Sequence, residues 1–169
     1  MRRTLYESLT RRAFTEARPA PADPEIARMA SELDAKARHR LGRSLSLRLV
    51  DAGSCNACEL ELNALSNPYY DLERFGLRFV ASPRHADVLL ITGPVTKNMR
   101  EALLRTYDAM PMPKWVVAIG DCAACGGLYA ESYACERGAS AVLSVDLRIQ
   151  GCPPSPSRLL EGLLALFNS

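Results

Sequence analysis

Val88-Leu89-Leu90-Ile91-Thr92-Gly93-Pro94 decides the fold. Its first five residues carry no charge and no polar alternation, so both faces of the segment want burial. A strand buried on both faces belongs inside a parallel sheet with helices above and below. Gly93-Pro94 then ends it. Trp115-Val116-Val117-Ala118-Ile119 repeats the pattern and stops at Gly120. Leu45, Leu47 and Leu49 alternate with Ser46 and Arg48, the period of a strand. Leu77-Arg78-Phe79-Val80 supplies another, and Val142–Val145 and Leu147–Ile149 read as short extended pieces.

Helical patterns fill the intervals. Asp23-Pro24 is an N-cap and first helical position, predicting a helix through about Arg38 with Ile26, Met29, Leu33 and Ala37 on one face. Glu59 to Ser66 fits a short helix, with Leu60 and Ala64 on one face, stopped by Asn67-Pro68. Met99, Leu103, Tyr107 and Met110 mark a helix face before Pro111 and Pro113, and Cys122 to Gly127 reads as a glycine-rich loop. Ser155-Pro156 opens a final helix carrying Leu159, Leu160, Leu163 and Leu166. Strands alternating with helices predict an α/β fold: an open, mostly parallel sheet with helices on both faces. In such sheets sites form beyond the carboxyl ends of the strands, at a switch point.

The chain divides into a basic N-terminal extension and linker, 1–43, and a main domain, 44–169. Residues 1–48 carry 11 Lys/Arg against 6 Asp/Glu, whereas 49–169 carry 10 against 13. A basic leader on a slightly acidic domain suggests docking onto an acidic protein or an anionic surface. The whole-chain charge of +2 makes no case for nucleic acid. Residues 1–18 are expected as a short amphipathic helix, followed by the stiff Pro19–Pro24 linker. No apolar run approaches the ~20 residues of a transmembrane helix, and no apolar h-region follows Met1-Arg2-Arg3. The expectation is a cytoplasmic chain whose six cysteines act as metal or redox ligands rather than disulfides.

Those cysteines follow strands. Gly53-Ser54-Cys55-Asn56-Ala57-Cys58 places two thiols three positions apart after the first strand; Gly120-Asp121-Cys122 and Gly151-Cys152-Pro153-Pro154 repeat strand, glycine, cysteine. A four-iron cubane takes four thiolates from roughly tetrahedral directions. Cys55 and Cys58 supply two corners and Cys122 a third. Strand-end placement favours Cys152 for the fourth; on spacing alone Cys125 competes, because Cys122-Ala123-Ala124-Cys125 is a second pair. A redox dithiol would leave Cys122 and Cys152 without a role. A four-thiolate zinc that only holds loops together remains chemically open. Cys135 reads as a small buried hydrophobe. His39 and His85 read as surface residues, and Tyr69 and Tyr70 as packing or interface aromatics.

From about Leu47 to Leu164 the chain resembles the small, electron-transfer subunit of membrane-bound [NiFe]-hydrogenases of the group 4 and formate hydrogenlyase type. It also resembles the homologous 20 kDa subunit of respiratory complex I, the NADH-quinone oxidoreductase. The resemblance is carried by Gly53–Cys58, Thr92-Gly93-Pro94-Val95, Gly120–Gly127 and Gly151–Pro154. It implies a flavodoxin-like domain holding one [4Fe–4S] cluster through Cys55, Cys58, Cys122 and Cys152, with Cys125 a bystander. The spaced first pair resembles the hydrogenase branch; the complex I protein typically has two adjacent cysteines there. Glu61 falls at a family glutamate near the cluster, and Glu59 where some hydrogenase small subunits place a proton-relay acid. Each is otherwise a helix-start carboxylate favourable to the dipole. The implied partners are a large catalytic subunit (hydrogenase large subunit or complex I 49 kDa-like), a ferredoxin-like subunit and membrane-arm subunits. The implied place is the cytoplasmic face of the inner membrane, peripherally attached. The implied activity is electron relay inside an oxidoreductase, ending on a nickel–iron centre or, alternatively, on quinone.

Overall fold

The computed structural model describes residues 23–168, so the expected helix over 1–18 lies outside the described residues. Five strands form one all-parallel sheet: β1 (Ser46–Asp51), β2 (Arg78–Phe79), β3 (Val88–Thr92), β4 (Trp115–Ile119) and β5 (Leu147–Ile149), in the order β2-β1-β3-β4-β5. This is the doubly wound order of flavodoxin, with its switch point between β1 and β3. The helices are α1 (Pro24–Leu41), α2 (Ala57–Ala64), α3 (Lys97–Asp108), α4 (Gly120–Cys125) and α5 (Pro156–Leu166).

Strand periodicity splits the core into two layers. Val88, Leu90, Val117 and Ile119 point to one face and pack with α1, α2 and α5 through Leu33, Leu62, Leu160 and Leu163. Leu89, Ile91, Val116 and Ala118 point to the other and meet Leu103 and Met110 of the α3 region. β3 is buried at every position, as a central strand with two packed faces must be.

α1 belongs to this core rather than standing apart from it. Asp23 caps it, its Oδ1 accepting from the Glu25 N–H at 2.8 Å. Ile26, Met29, Ala30, Leu33 and Ala37 are buried in the same cluster as Leu45 and Leu90. The expected stripe is the observed one, lengthened at the carboxyl end to Leu41.

Other expectations need correction. α2 begins two residues earlier than Glu59, because Asn56 turns the chain at φ +71° and puts Cys58 in the first helical turn. Its buried face is Glu59, Leu62 and the following Leu65, while Leu60 is 61% exposed. Cys122 lies in a helix and not a loop, since Ala123-Ala124 favour helix between glycines that sit only at its ends. Val142–Val145 form no strand: a 3-10 turn, Ala139–Ala141, precedes them, and their side chains pack on the second face.

The amino-terminal edge of the sheet is tied by two aspartates. Asp87 is buried, accepts from the Ser46 N–H at 2.9 Å and takes both guanidinium arms of Arg43 at 2.9 and 2.5 Å. Its own N–H donates to the Ser46 carbonyl, and its carbonyl accepts from Trp115 N–H. Asp146 accepts from Val116 N–H at 2.7 Å, fixing where β5 begins. Replacing Asp87 by Ala leaves a buried N–H unpaired and a guanidinium without its anion. Asp87→Ala is expected to lower the unfolding free energy by about 1–3 kcal/mol, measured by urea denaturation; an unchanged midpoint would contradict this role.

Candidate metal centre

The carboxyl ends of β1, β3, β4 and β5 emerge at one edge of the sheet, and one cavity lies there. Cys55, Cys58, Cys122 and Cys152 all line it, beside Gly93-Pro94 from the end of β3. The structure therefore brings together the four cysteines singled out from the sequence.

Each loop is held by its own polar contacts. After β1, Asp51 Oδ1 accepts from the N–H groups of Gly53 and Ser54 at 2.8 and 2.7 Å, folding the turn that delivers Cys55. Ser54 Oγ accepts from Asn56 N–H at 2.9 Å and donates to Glu59 Oε2 at 2.6 Å. That links the turn to the first turn of α2, where Cys58 sits. The β4 and β5 loops are tied reciprocally. Asp121 N–H donates to the Gly151 carbonyl at 3.0 Å, and Gly151 N–H donates to Asp121 Oδ1 at 3.0 Å. Cys122 and Cys152, the residues immediately following these two, are thereby placed side by side. The Cys152–Pro153 bond is cis.

Two glycines make room for sulfur. A Cβ on Gly120 would lie 2.8 Å from Cys58 Sγ, and one on Gly127 would lie 2.8 Å from Cys122 Sγ. Both residues also have positive φ, +83° and +51°, so a side chain is opposed by backbone as well as by space.

Cys58 and Cys122 are half-buried, whereas Cys55 and Cys152 are exposed. Burial pushes the Cys58 thiol up to about 12; Glu59 and the thiols of Cys122, Cys55 and Cys152 add to the effect. Cys122 is raised for the same reason, burial first and then Cys152, Cys55, Asp121 and Cys125. The four sulfurs thus lie within one another's electrostatic reach, and gathering them as thiolates needs compensating positive charge. Among the described residues no group of three His, Cys, Asp or Glu side chains is set to hold a single metal ion.

The other expected residues fall around this centre. Cys125 is exposed, does not line the cavity, and its thiol turns back to the Asp121 carbonyl at 3.2 Å. Cys135 is half-buried rather than buried, in a backbone bridge opposite Thr96. Glu59 is 7% exposed; one carboxylate oxygen takes the Ser54 hydroxyl and the other, Oε1, has no partner. Glu61 is partly buried, does not line the cavity and lies on the side of Tyr70. His39 and His85 are exposed. Tyr69 and Tyr70 stack edge to face at 4.8 Å, the first exposed and the second packed against the core.

Sequence reasoning missed Tyr129, which lines the cavity at 49% exposure beside the almost fully exposed Leu128. An aromatic two residues after the Gly126-Gly127 pair was the signal available. It also missed the locking role of Asp121, legible only as an acid placed just before a cysteine.

The chain is similar to known proteins over most of its length. The family model for the NADH ubiquinone oxidoreductase 20 kDa subunit matches residues 55–166. Formate hydrogenlyase subunit 7 of Escherichia coli is 42% identical over 144 residues, 85% of this chain and 55% of that protein, so the chain spans about half the length of this relative. A probable membrane-bound hydrogenase subunit, mbhJ, of Pyrococcus furiosus is 44% identical over 124 residues, 73% of this chain and 74% of the relative. Among solved structures, a chain of the membrane-bound sulfane sulfur reductase, an archaeal respiratory membrane complex, superposes with a TM-score of 0.67 at 35% identity, covering 81% of this chain and 74% of that one. A chain of an NAD+-reducing [NiFe]-hydrogenase superposes with a TM-score of 0.56 at 20% identity over 73% of this chain and 92% of that one, a likeness of fold alone. With four thiols at the carboxyl edge of a flavodoxin-ordered sheet and the family's match running from Cys55 to Leu166, this chain belongs to the NADH ubiquinone oxidoreductase 20 kDa subunit family.

Proposed function

We propose that this chain is the electron-transfer subunit of a membrane-bound hydrogenase complex, with one [4Fe–4S] cluster held by Cys55, Cys58, Cys122 and Cys152. The observation that carries the reading is the single cavity at the switch point, lined by these four thiols and by neither Cys125 nor Cys135. Three separate stretches, after β1, β4 and β5, supply them, one thiol for each corner of a cubane. A four-thiolate zinc would use the same four sulfurs, and metal analysis distinguishes the two. When bound, the cluster would supply a one-electron carrier.

The chain's own residues would do the rest. Gly120 and Gly127 let the protein approach the sulfurs of Cys58 and Cys122 closely, which keeps water away from them and sets the potential. Iron binding would draw protons off thiols that burial otherwise keeps protonated. Cys55 and Cys152, the exposed pair, would face the partner subunit. Electrons would pass between a ferredoxin-like subunit and a large catalytic subunit, with membrane-arm subunits completing the complex. Glu59, buried beside Cys58 and hydrogen-bonded to Ser54, is better placed than Glu61 to move a proton near the centre.

No helix among the described residues is long and apolar enough to cross a membrane. Relatives are named as parts of membrane-bound complexes, which supports peripheral attachment to a membrane complex; the cytoplasmic face is the side the proposal assigns. The family's own name favours a second reading, a complex I-like subunit passing electrons to quinone. Two Cys-x-x-Cys pairs in the large subunit would favour the hydrogenase; their absence would favour the quinone reductase.

The test is anaerobic purification with iron analysis, absorbance near 400 nm and EPR of the reduced protein. Cys152→Ser is expected to lose most of the iron and the signal, and Cys125→Ser to keep both. Equal loss in the two would mean the wrong fourth ligand, and a colourless protein with stoichiometric zinc would remove the cluster altogether. In the metal-free protein, iodoacetamide alkylation of Cys58 should rise about tenfold per pH unit through pH 10 and 11, because its thiol sits near 12. Levelling near the ordinary value of 9.0 would show that the thiol is not desolvated.

A further inference from the structure

The two faces of the sheet are unequally covered. α1, α2 and α5 pack on one, through the cluster around Leu33, Leu62 and Leu160. On the other, α3 and the segment around Ala139–Val145 cover β3 and β4. The β2→β3 connection must also cross this second face, because it runs past β1 in the same direction as β3→β4. A parallel crossover normally takes a dozen or more residues and carries a helix. This one has eight, Val80–Asp87, and only a 3-10 turn, Pro83–His85.

The place a helix would occupy is basic. Ser46, Arg48 and Val50 point to this face, opposite Leu47 and Leu49. Arg78 pairs beside Ser46, and Val80, the first residue of the connection, follows with its N–H on the Leu47 carbonyl. Arg78 and Arg84 are exposed, and Val80 is half-buried. Arg48 is partly buried, and its Nε is sealed from solvent without any acceptor. Arg48, Arg78 and Arg84 form no ion pair among the described residues, although six other cations of the chain do. The Arg48 guanidinium thus lacks an acceptor for its inner N–H, and a carboxylate brought by another chain would pair with its outer, solvent-facing arms.

We propose that the β2–β1 half of this face docks an acidic segment of another subunit, seated where the missing crossover helix would lie. Its carboxylates pair with Arg48, Arg78 and Arg84, and its apolar side chains cover Val80. Charge selects this occupant over the chain's own first 22 residues, which carry five arginines against Glu7 and Glu16. The proposal rests on the chain working inside a multi-subunit complex. That premise is read separately, from whether any other subunit co-purifies with the tagged wild-type chain.

A photo-crosslinking amino acid at the exposed Ala81 is incorporated in the intact complex, and the adduct peptide is identified by mass spectrometry. The expected adduct is to another subunit, at a segment with two or more Asp or Glu beside apolar residues. An adduct to lipid, to residues 1–22 of the same chain or to a basic peptide overturns the proposal, as does no adduct at all. In parallel, Arg48→Glu with Arg78→Glu is expected to lower retention of that subunit about tenfold at unchanged iron content; undiminished retention overturns it. Should that variant lose iron, Arg48→Met with Arg78→Met takes its place with the same expected loss. The adduct at Ala81 is read with both arginines intact and decides independently.

Discussion

Parallel pairing is the constraint on which everything else depends. β1, β3, β4 and β5 run the same way and in register from Val88 and Trp115 onward. Their carboxyl ends must therefore leave the sheet at a common edge. Residues 64 and 30 positions apart in sequence, Cys58 to Cys122 and Cys122 to Cys152, become neighbours with no special folding of the intervening chain. An antiparallel arrangement of the same segments would put alternate loops at opposite ends and scatter the thiols. The Asp121–Gly151 pair of hydrogen bonds adds the last increment of precision, because register alone does not fix how far two neighbouring loops lean together.

Gathering thiols in a partly buried place is unfavourable for their charged form, and the shifts at Cys58 and Cys122 express that. Turn contacts from Asp51, Ser54 and Asp121 position the backbone, and the thiols follow it. The site is thus prepared by bonds that do not involve sulfur. Tightness comes from the absence of side chains at Gly120 and Gly127, so the same feature that shapes the cavity makes it intolerant of substitution.

Much of this was legible in sequence where one physical rule acted alone. β3 and β4 were readable because both faces are buried, and α1 because Asp23-Pro24 and a regular apolar stripe agree. Misreadings arose where local rules competed. Leu60 looked like a core position by helical spacing, but the start of α2 at Ala57 rotates it to solvent and turns Glu59 inward. The glycines around Cys122 suggested a loop, yet they bracket Ala123-Ala124 and leave a helical turn between them. Tyr129 carried no periodic signal, because its position depends on where a 3-10 turn returns the chain to the cavity. Choosing among cysteines was likewise beyond spacing: Cys125 lies as far from Cys122 as Cys58 from Cys55, but one helical turn points its thiol back to the Asp121 carbonyl.

The two edges of the sheet also divide the labour. The carboxyl edge keeps its loops irregular, glycine-rich and half-exposed. The amino-terminal edge is closed by Asp87 and Asp146, each holding backbone groups that the strands leave over. A buried carboxylate there is stabilising because Arg43 and the Ser46 N–H both meet it. Rigidity at one edge fixes the strands, and the strands carry that rigidity about five residues along to the thiols at the other. The centre can then sit on short, open loops and still keep its geometry.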